Sequence, residues 1–281
     1  MPIHIEMKKT ILVPIDFSEV TEYALEHALN LCKQIPSSDI ILLHIVSGKS
    51  AIKGAESKLQ VLKQKYVGEF DIRCKALVGK LVDIGQFAED LGVSLIYMGT
   101  HGLKGFQYLV GSKAIKVVSK ANIPFIIIQD AVKNVDGIEE IVVPLDFSSE
   151  EKVVLSAAAS LARALKARIH IIGAHYSDEL LRKKVDLNLS FAKRYLKEKE
   201  VDFIVVRASD QKDYQDEIMD YTRMVDADLI AIINHHEDGV ANLLGNNSDQ
   251  NIITNNSKIP VMMFTGKNVS DNRDIFMMFS S

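Results

Sequence analysis

The chain has 281 residues, 47% hydrophobic and 25% charged; at about 150 residues per domain this length suits two domains, and the balance excludes a disordered chain. Its 33 Lys and Arg against 37 Asp and Glu leave a net charge of −4, with no basic stripe of the kind that neutralises a nucleic-acid backbone. The opening Met1 to Lys9 has no apolar leader and no run approaches a membrane span of roughly 18 residues, so a cytoplasmic chain without a membrane partner is expected.

Self-similarity organises the rest. Val13-Pro14-Ile15-Asp16-Phe17-Ser18 returns as Val143-Pro144-Leu145-Asp146-Phe147-Ser148, Leu109-Val110-Gly111-Ser112 is answered by Leu243-Leu244-Gly245-Asn246, and Ile123-Pro124 by Ile259-Pro260. Two copies of one domain therefore stand in tandem, over 1–132 and 138–267, followed by a tail over 268–281. The join lies near Asp130 to Gly137, where polar residues and glycine replace the apolar run Ile123 to Ile128.

In chain order, Thr10 to Ile15 reads as a strand, and Ser18 as the cap of a helix running to Cys32 with apolar residues at helical spacing. Asp39 to Val46 is a second strand, Ala51 to Tyr66 a helix with a lysine-rich face, and Phe70 to Val78 a third strand. Leu81 to Leu91 is helical, Ser94 to Met98 a fourth strand, Ser112 to Lys120 a helix, and Phe125 to Gln129 a fifth strand. The second copy repeats this order with strands at Glu140 to Leu145, Arg168 to Gly173, Val201 to Val206, Asp228 to Ile233 and Val261 to Thr265; its helix over Ser177 to Glu198 is the longest. Continuous apolar strands separated by helices specify an α/β fold of two doubly wound parallel sheets, five strands each. The tail is polar until Ile275-Phe276-Met277-Met278-Phe279, which either packs on a neighbour or stays loose.

Ligands of such sheets bind beyond the carboxyl ends of the strands. Asp16 sits there, and its carboxylate could accept hydrogen bonds from a ribose hydroxyl or an adenine amine, or serve the dipole of the following helix. After the fourth strand comes Met98-Gly99-Thr100-His101-Gly102, then Leu103 to Val110, then Gly111-Ser112 opening a helix. Glycines let backbone approach phosphate closely, and a serine-capped helix start presents free N–H groups to an anion. Cys32 and Cys74 lack metal-ligand spacing and read as free buried thiols, and the His235-His236-Glu237-Asp238 run reads as a solvated loop, so no metal site is expected. There is no nucleophile elbow, complete Walker A or HExxH, so binding is favoured over catalysis.

The Pro-Ile-Asp-Phe-Ser opening, the Met-Gly-Thr-His-Gly loop, the Gly-Ser helix start and the Ile-Pro-Phe-Ile-Ile-Ile strand resemble the universal stress protein family, across nearly the whole chain as a tandem member. The resemblance implies an adenine nucleotide alpha hydrolase-like fold with strand order 3-2-1-4-5, and an internal pseudo-dimer joined through the fifth strands, Phe125 to Gln129 and Val261 to Thr265. It also implies a site for ATP or a related adenine nucleotide, with or without magnesium. Gly99, Gly102, Gly111 and Ser112 would hold the phosphates, with His101 and Lys113 beside them. Asp16 and the backbone of Ile45 would hold ribose and adenine, next to Pro14 and Ile15, and Met98 would line the base pocket. ATP-binding members place nine residues before the Gly-Ser pair; this chain has eight, with Gly105 able to absorb the change.

The second copy keeps Asp146 but has Ile233, His236 and Asn246 in place of Gly99, Gly102 and Ser112. A β-branched residue and an imidazole obstruct close backbone approach. The expectation is a stress-response nucleotide switch with its ligand in the first domain; the alternative is a nucleotide-independent scaffold. A homodimer and a further protein partner are open in either case.

Overall fold

The computed structural model describes residues 9–35, 38–66, 70–100, 121–148, 151–234, 252 and 255–265. The first half runs β1 (Lys9–Pro14), α1 (Glu19–Gln34), β2 (Ser38–Val46), α2 (Ile52–Gln64), β3 (Ile72–Val78), α3 (Ile84–Asp90), β4 (Leu95–Gly99) and β5 (Phe125–Ile128). The second runs β6 (Glu140–Leu145), α4 (Glu151–Leu165), β7 (Arg168–Gly173), α5 (Glu179–Glu198), β8 (Phe203–Arg207), α6 (Tyr214–Met224), β9 (Leu229–Asn234) and β10 (Val261–Thr265). The expected helix over Leu81 to Leu91 opens as a single 3-10 turn, Leu81–Asp83, before α3. The expected helix 112–120 and the tail lie outside the described residues.

All ten strands form one sheet in the order β3-β2-β1-β4-β5-β10-β9-β6-β7-β8. Each half therefore has the order 3-2-1-4-5, parallel throughout. The two halves meet where β5 and β10 pair antiparallel, Val261 opposite Ile127, Met262 opposite Ile126 and Met263 opposite Phe125. The pleat keeps its sides across this seam. Ile126, Ile128, Met262 and Phe264 join the core under α1 and α4, while Phe125, Ile127, Val261 and Met263 join the core under α3 and α6. Both inner edges, a liability if exposed, are thereby closed.

Local sequence explains the helices. In α1, Val20, Ala24, Leu25, Ala28, Leu29 and Leu31 fall on one buried face, with Glu19 and Glu22 in the first turn and Lys33 in the last, complementing the helix dipole. Asp178 caps α5, its carboxylate accepting from the amides of Leu180 and Leu181, both at 2.9 Å. The third strand starts at Ile72 rather than Phe70, because Ile72 is the first residue registered against β2, opposite Ile40. Among the described residues, no helix is long and apolar enough to cross a membrane.

Candidate functional site

The corner between β1 and α1 stands at the carboxyl end of the sheet. Ile15 is buried; its amide donates to the Leu43 carbonyl at 2.8 Å, and its carbonyl lies 2.6 Å from His44 Nδ1. Asp16 follows, half-buried. Its Oδ1 accepts from the Ser18 amide at 2.9 Å, the Ser18 hydroxyl at 2.6 Å and the Thr21 hydroxyl at 3.1 Å, whose proton is shared with the Ser18 carbonyl at 2.8 Å. Oδ2 makes no hydrogen bond with the described residues, so this carboxylate keeps acceptor capacity for a ligand.

The chain turns here through Phe17 at φ 68, a left-handed conformation that costs a non-glycine residue about 1–3 kcal/mol. The turn sets the Phe17 ring 4.8 Å from the His44 ring, with Lys58 Nζ 5.7 Å from the Phe17 centroid. The expected role of Ser18 is corrected. It occupies the N-cap position of α1 without a side-chain cap bond, because its hydroxyl proton goes to the nearby carboxylate, a stronger acceptor.

Of the other expected site residues, Pro14 is the buried end of β1, and Ile45 is half-buried in β2 opposite Leu77. Met98 is 1% exposed and packs in the core on the α3 side. Gly99 closes β4, and its lack of a side chain is accounted for by packing. A Cβ there would stand 2.4 Å from the Val20 carbonyl oxygen, so the first turn of α1 rests directly on the glycine backbone. His101, Gly102, Gly111, Ser112 and Lys113 lie outside the described residues.

The equivalent corner of the second half is furnished differently. Asp146 accepts from the Ser148 amide as Asp16 does from Ser18, but its own amide donates to Glu151, which stands where Thr21 stands in the first half. Glu151 is buried; desolvation first, then the charge of Asp146, raises its carboxyl well above the usual carboxylate range. The raised carboxyl of Glu151 thus stands directly beside Asp146. The Tyr214 hydroxyl donates to the Ile172 carbonyl at 2.7 Å and lies 3.3 Å from that of Leu145, bridging the ends of β6 and β7. Burial, with the Glu151 and Asp146 charges, holds that phenol neutral. Burial and the same carboxylates push Tyr176 up to about 12, and its ring meets Phe147 edge-on at 5.4 Å. Asn188 Nδ2 ties the turn from α5, donating to the carbonyls of Asp146 at 2.9 Å and Ser148 at 2.8 Å.

Strand register also separates the halves. β4 lies on β1 with Leu95 opposite Ile11, and β9 on β6 with Leu229 opposite Ile141, so buried Ile233 takes the place of Gly99. Sequence reasoning did not single out Phe17, Thr21, His44, Glu151 or Tyr214. One signal was available: Thr21 and Glu151 each follow the repeated aspartate by the same interval. Cys32 and Cys74 are free, the first buried and the second half-buried. Among the described residues, no cluster of three or more His, Cys, Asp or Glu could hold a metal ion; the run at 235–238 lies outside them.

The sequence model of the universal stress protein family matches residues 7–129 and 137–265. A universal stress protein of Methanocaldococcus jannaschii is 28% identical over 156 residues, covering 44% of this chain and 96% of its own length. Universal stress protein G of Escherichia coli O157:H7 is 25% identical over 144 residues, covering 44% of this chain and all of its own. Each of these relatives is thus matched almost end to end by less than half of this chain. Among solved structures, a universal stress protein from Archaeoglobus fulgidus superposes with a TM-score of 0.74 at 20% identity, over 92% of this chain and 99% of that one. With two family matches in tandem, and a solved structure of the same fold spanning both halves, the chain belongs to the universal stress protein family.

Proposed function

We propose that the first half, residues 1–132, binds ATP or a related adenine nucleotide and that the second, residues 138–267, is its structural partner without a nucleotide of its own. The observation that carries this reading is the contrast between the two corners. Asp16 retains an oxygen to which none of the described residues donates, beside the ends of β1 and β2, where a ribose hydroxyl or an adenine amine would find an acceptor. At Asp146 a buried carboxyl accepts from the aspartate's own amide, and a tyrosine bridges the carbonyls at the ends of β6 and β7. Ile233, in place of Gly99, adds bulk beside the second loop.

In this reading Asp16 and the Ile45 backbone take the nucleoside, and the loop carrying His101, Gly102, Gly111, Ser112 and Lys113 takes the phosphates. Occupancy acts as a switch, favouring whichever arrangement of that loop binds the nucleotide more tightly. The sequence carries no nucleophile elbow, complete Walker A or HExxH, so binding rather than turnover is the activity proposed, in the cytoplasm.

Calorimetric titration of nucleotide-stripped protein with ATP and magnesium tests the reading. One site per chain, weakened by Asp16→Ala and not by Asp146→Ala, is expected. Two sites per chain would overturn the assignment to the first half. No binding at millimolar ATP would favour a nucleotide-independent scaffold, a reading supported by the single ten-stranded sheet, whose cores are continuous across the seam.

A further inference from the structure

At the far end of α1 from Asp16, the segment joining the halves roofs a cavity of about 830 Å³. Its walls come from the second half of α1, residues 131–139, the end of α6 and the approaches to β9 and β10. Polar bonds pin these walls in place. Asn30 Nδ2 donates to the Asn134 carbonyl at 3.1 Å, Gln34 Nε2 to that of Asp136 at 2.7 Å, and Lys133 Nζ to that of Ser257 at 2.8 Å.

Tyr97 of β4 lines this cavity at 2% exposure, and its hydroxyl makes no hydrogen bond with the described residues. Buried hydroxyls are nearly always paired, so one bordering a cavity calls for a partner inside it. The walls carry four acids, Glu139, Glu140, Asp226 and Asp228, and three cations, Lys133, Arg223 and Lys258, the last paired with Asp130. Asp228 is saturated by the amides of Glu139 and Glu140 at 2.8 and 3.0 Å, and Glu140 is engaged by His170 and Arg168. Lys133, by contrast, donates to a neutral carbonyl, while Arg223 is ion-paired with Asp220 and also reaches the Ser257 hydroxyl at 3.4 Å. Leu31, Val132, Ile138 and Ile259 supply apolar wall.

We propose that this cavity is a second binding site, for a small organic anion with an apolar body. The negative group lies at Lys133 and Arg223, the body lies against Leu31 and Val132, and an acceptor on it takes the Tyr97 hydroxyl. The volume lies within the range of small-molecule pockets. Because both halves build the walls, a ligand here would brace their junction, independently of the Asp16 corner.

The test is a fluorescence titration of the full chain with anilinonaphthalene sulfonate, an organic anion with an apolar body, at saturating ATP. Saturable binding at one per chain is expected, weakened about tenfold by Val132→Trp, which fills the cavity, and about fivefold by Lys133→Glu. Tyr97→Phe should weaken binding without lowering the melting temperature of the ligand-free protein. Absence of saturable binding, displacement by ATP, or affinity unchanged in both Val132→Trp and Lys133→Glu would overturn the proposal. So would a Tyr97→Phe variant that melts earlier yet binds equally well, since the hydroxyl would then already have a partner.

Discussion

At the carboxyl end of β1, Asp16 is met by two hydroxyls, from Ser18 and Thr21; at the same place on β6, Asp146 is met by another acid, Glu151. One residue at the start of a helix has changed, and with it the electrostatics of the corner. A hydroxyl donates to the aspartate and leaves it half-exposed. A buried acid in its place has its own carboxyl pushed up, by desolvation first and then by the charge of Asp146. Tyr214 then bridges carbonyls across the strand ends, and a buried Ile233 side chain stands at the position where, in the first half, α1 packs directly on the Gly99 backbone. The same backbone thus carries two corners whose aspartates meet different partners.

The largest expected effects come from giving both halves the same residue at the Gly99 position. Ile233→Ala deletes a buried side chain and should cost about 2–4 kcal/mol by urea denaturation. Gly99→Ala should cost about 1–3 kcal/mol for the opposite reason, since its methyl would meet the Val20 carbonyl at 2.4 Å. A neutral Gly99→Ala would mean that α1 does not rest on β4.

Next comes Glu151→Gln, which mimics the protonated acid. The folded-state pKa of Glu151 lies above its unfolded value. Its favourable contribution is therefore fully present below the unfolded value of about 4.3, and is lost as pH rises towards the folded value. The glutamine variant should show a flatter stability profile above that pH, exceeding the parent by about 1–2 kcal/mol at pH 8. Parallel profiles would show that the Glu151 carboxyl is not raised in the folded protein. The reciprocal change, Thr21→Glu, should bring the same pH dependence into the first half and weaken ATP binding there.

Tyr214→Phe should cost about 1 kcal/mol, the worth of its bridge to the Ile172 carbonyl, and leave ATP stoichiometry unchanged. The smallest effect belongs to the surface. Exposed Lys65 pairs with half-buried Glu22 at 2.7 Å, and Lys65→Ala should change stability by less than about 0.5 kcal/mol.

Much of this architecture was legible in the chain itself. The repeated Pro-x-Asp-Phe-Ser segment located both β-α corners, and the β-branched runs located the ten strands, since alternating periods of two and 3.6 report directly on buried faces. The seam was legible through resemblance and not through pattern, because an apolar strand reads alike whether its edge is covered by its own domain or by another. The corners themselves were less legible. Phe17 at positive φ has no composition signature, an aromatic being among the residues least expected there. His44 looked like one more strand residue until the turn brought it to Ile15. Tyr214 was hidden because the helices after the third strand differ between the halves, α3 spanning 7 residues and α6 spanning 11, so no counterpart drew notice.

The antiparallel join of β5 to β10 has a genetic consequence. In a pair of identical subunits every substitution appears at both sites at once, so neither site can change alone. Here two corners that a shared edge holds together are written separately in one chain, always present in equal number. Each can accumulate changes that the other need not tolerate, as Thr21 and Glu151 illustrate. Linkage through one backbone also keeps the two edges at high local concentration, so the junction survives dilution that would separate free subunits.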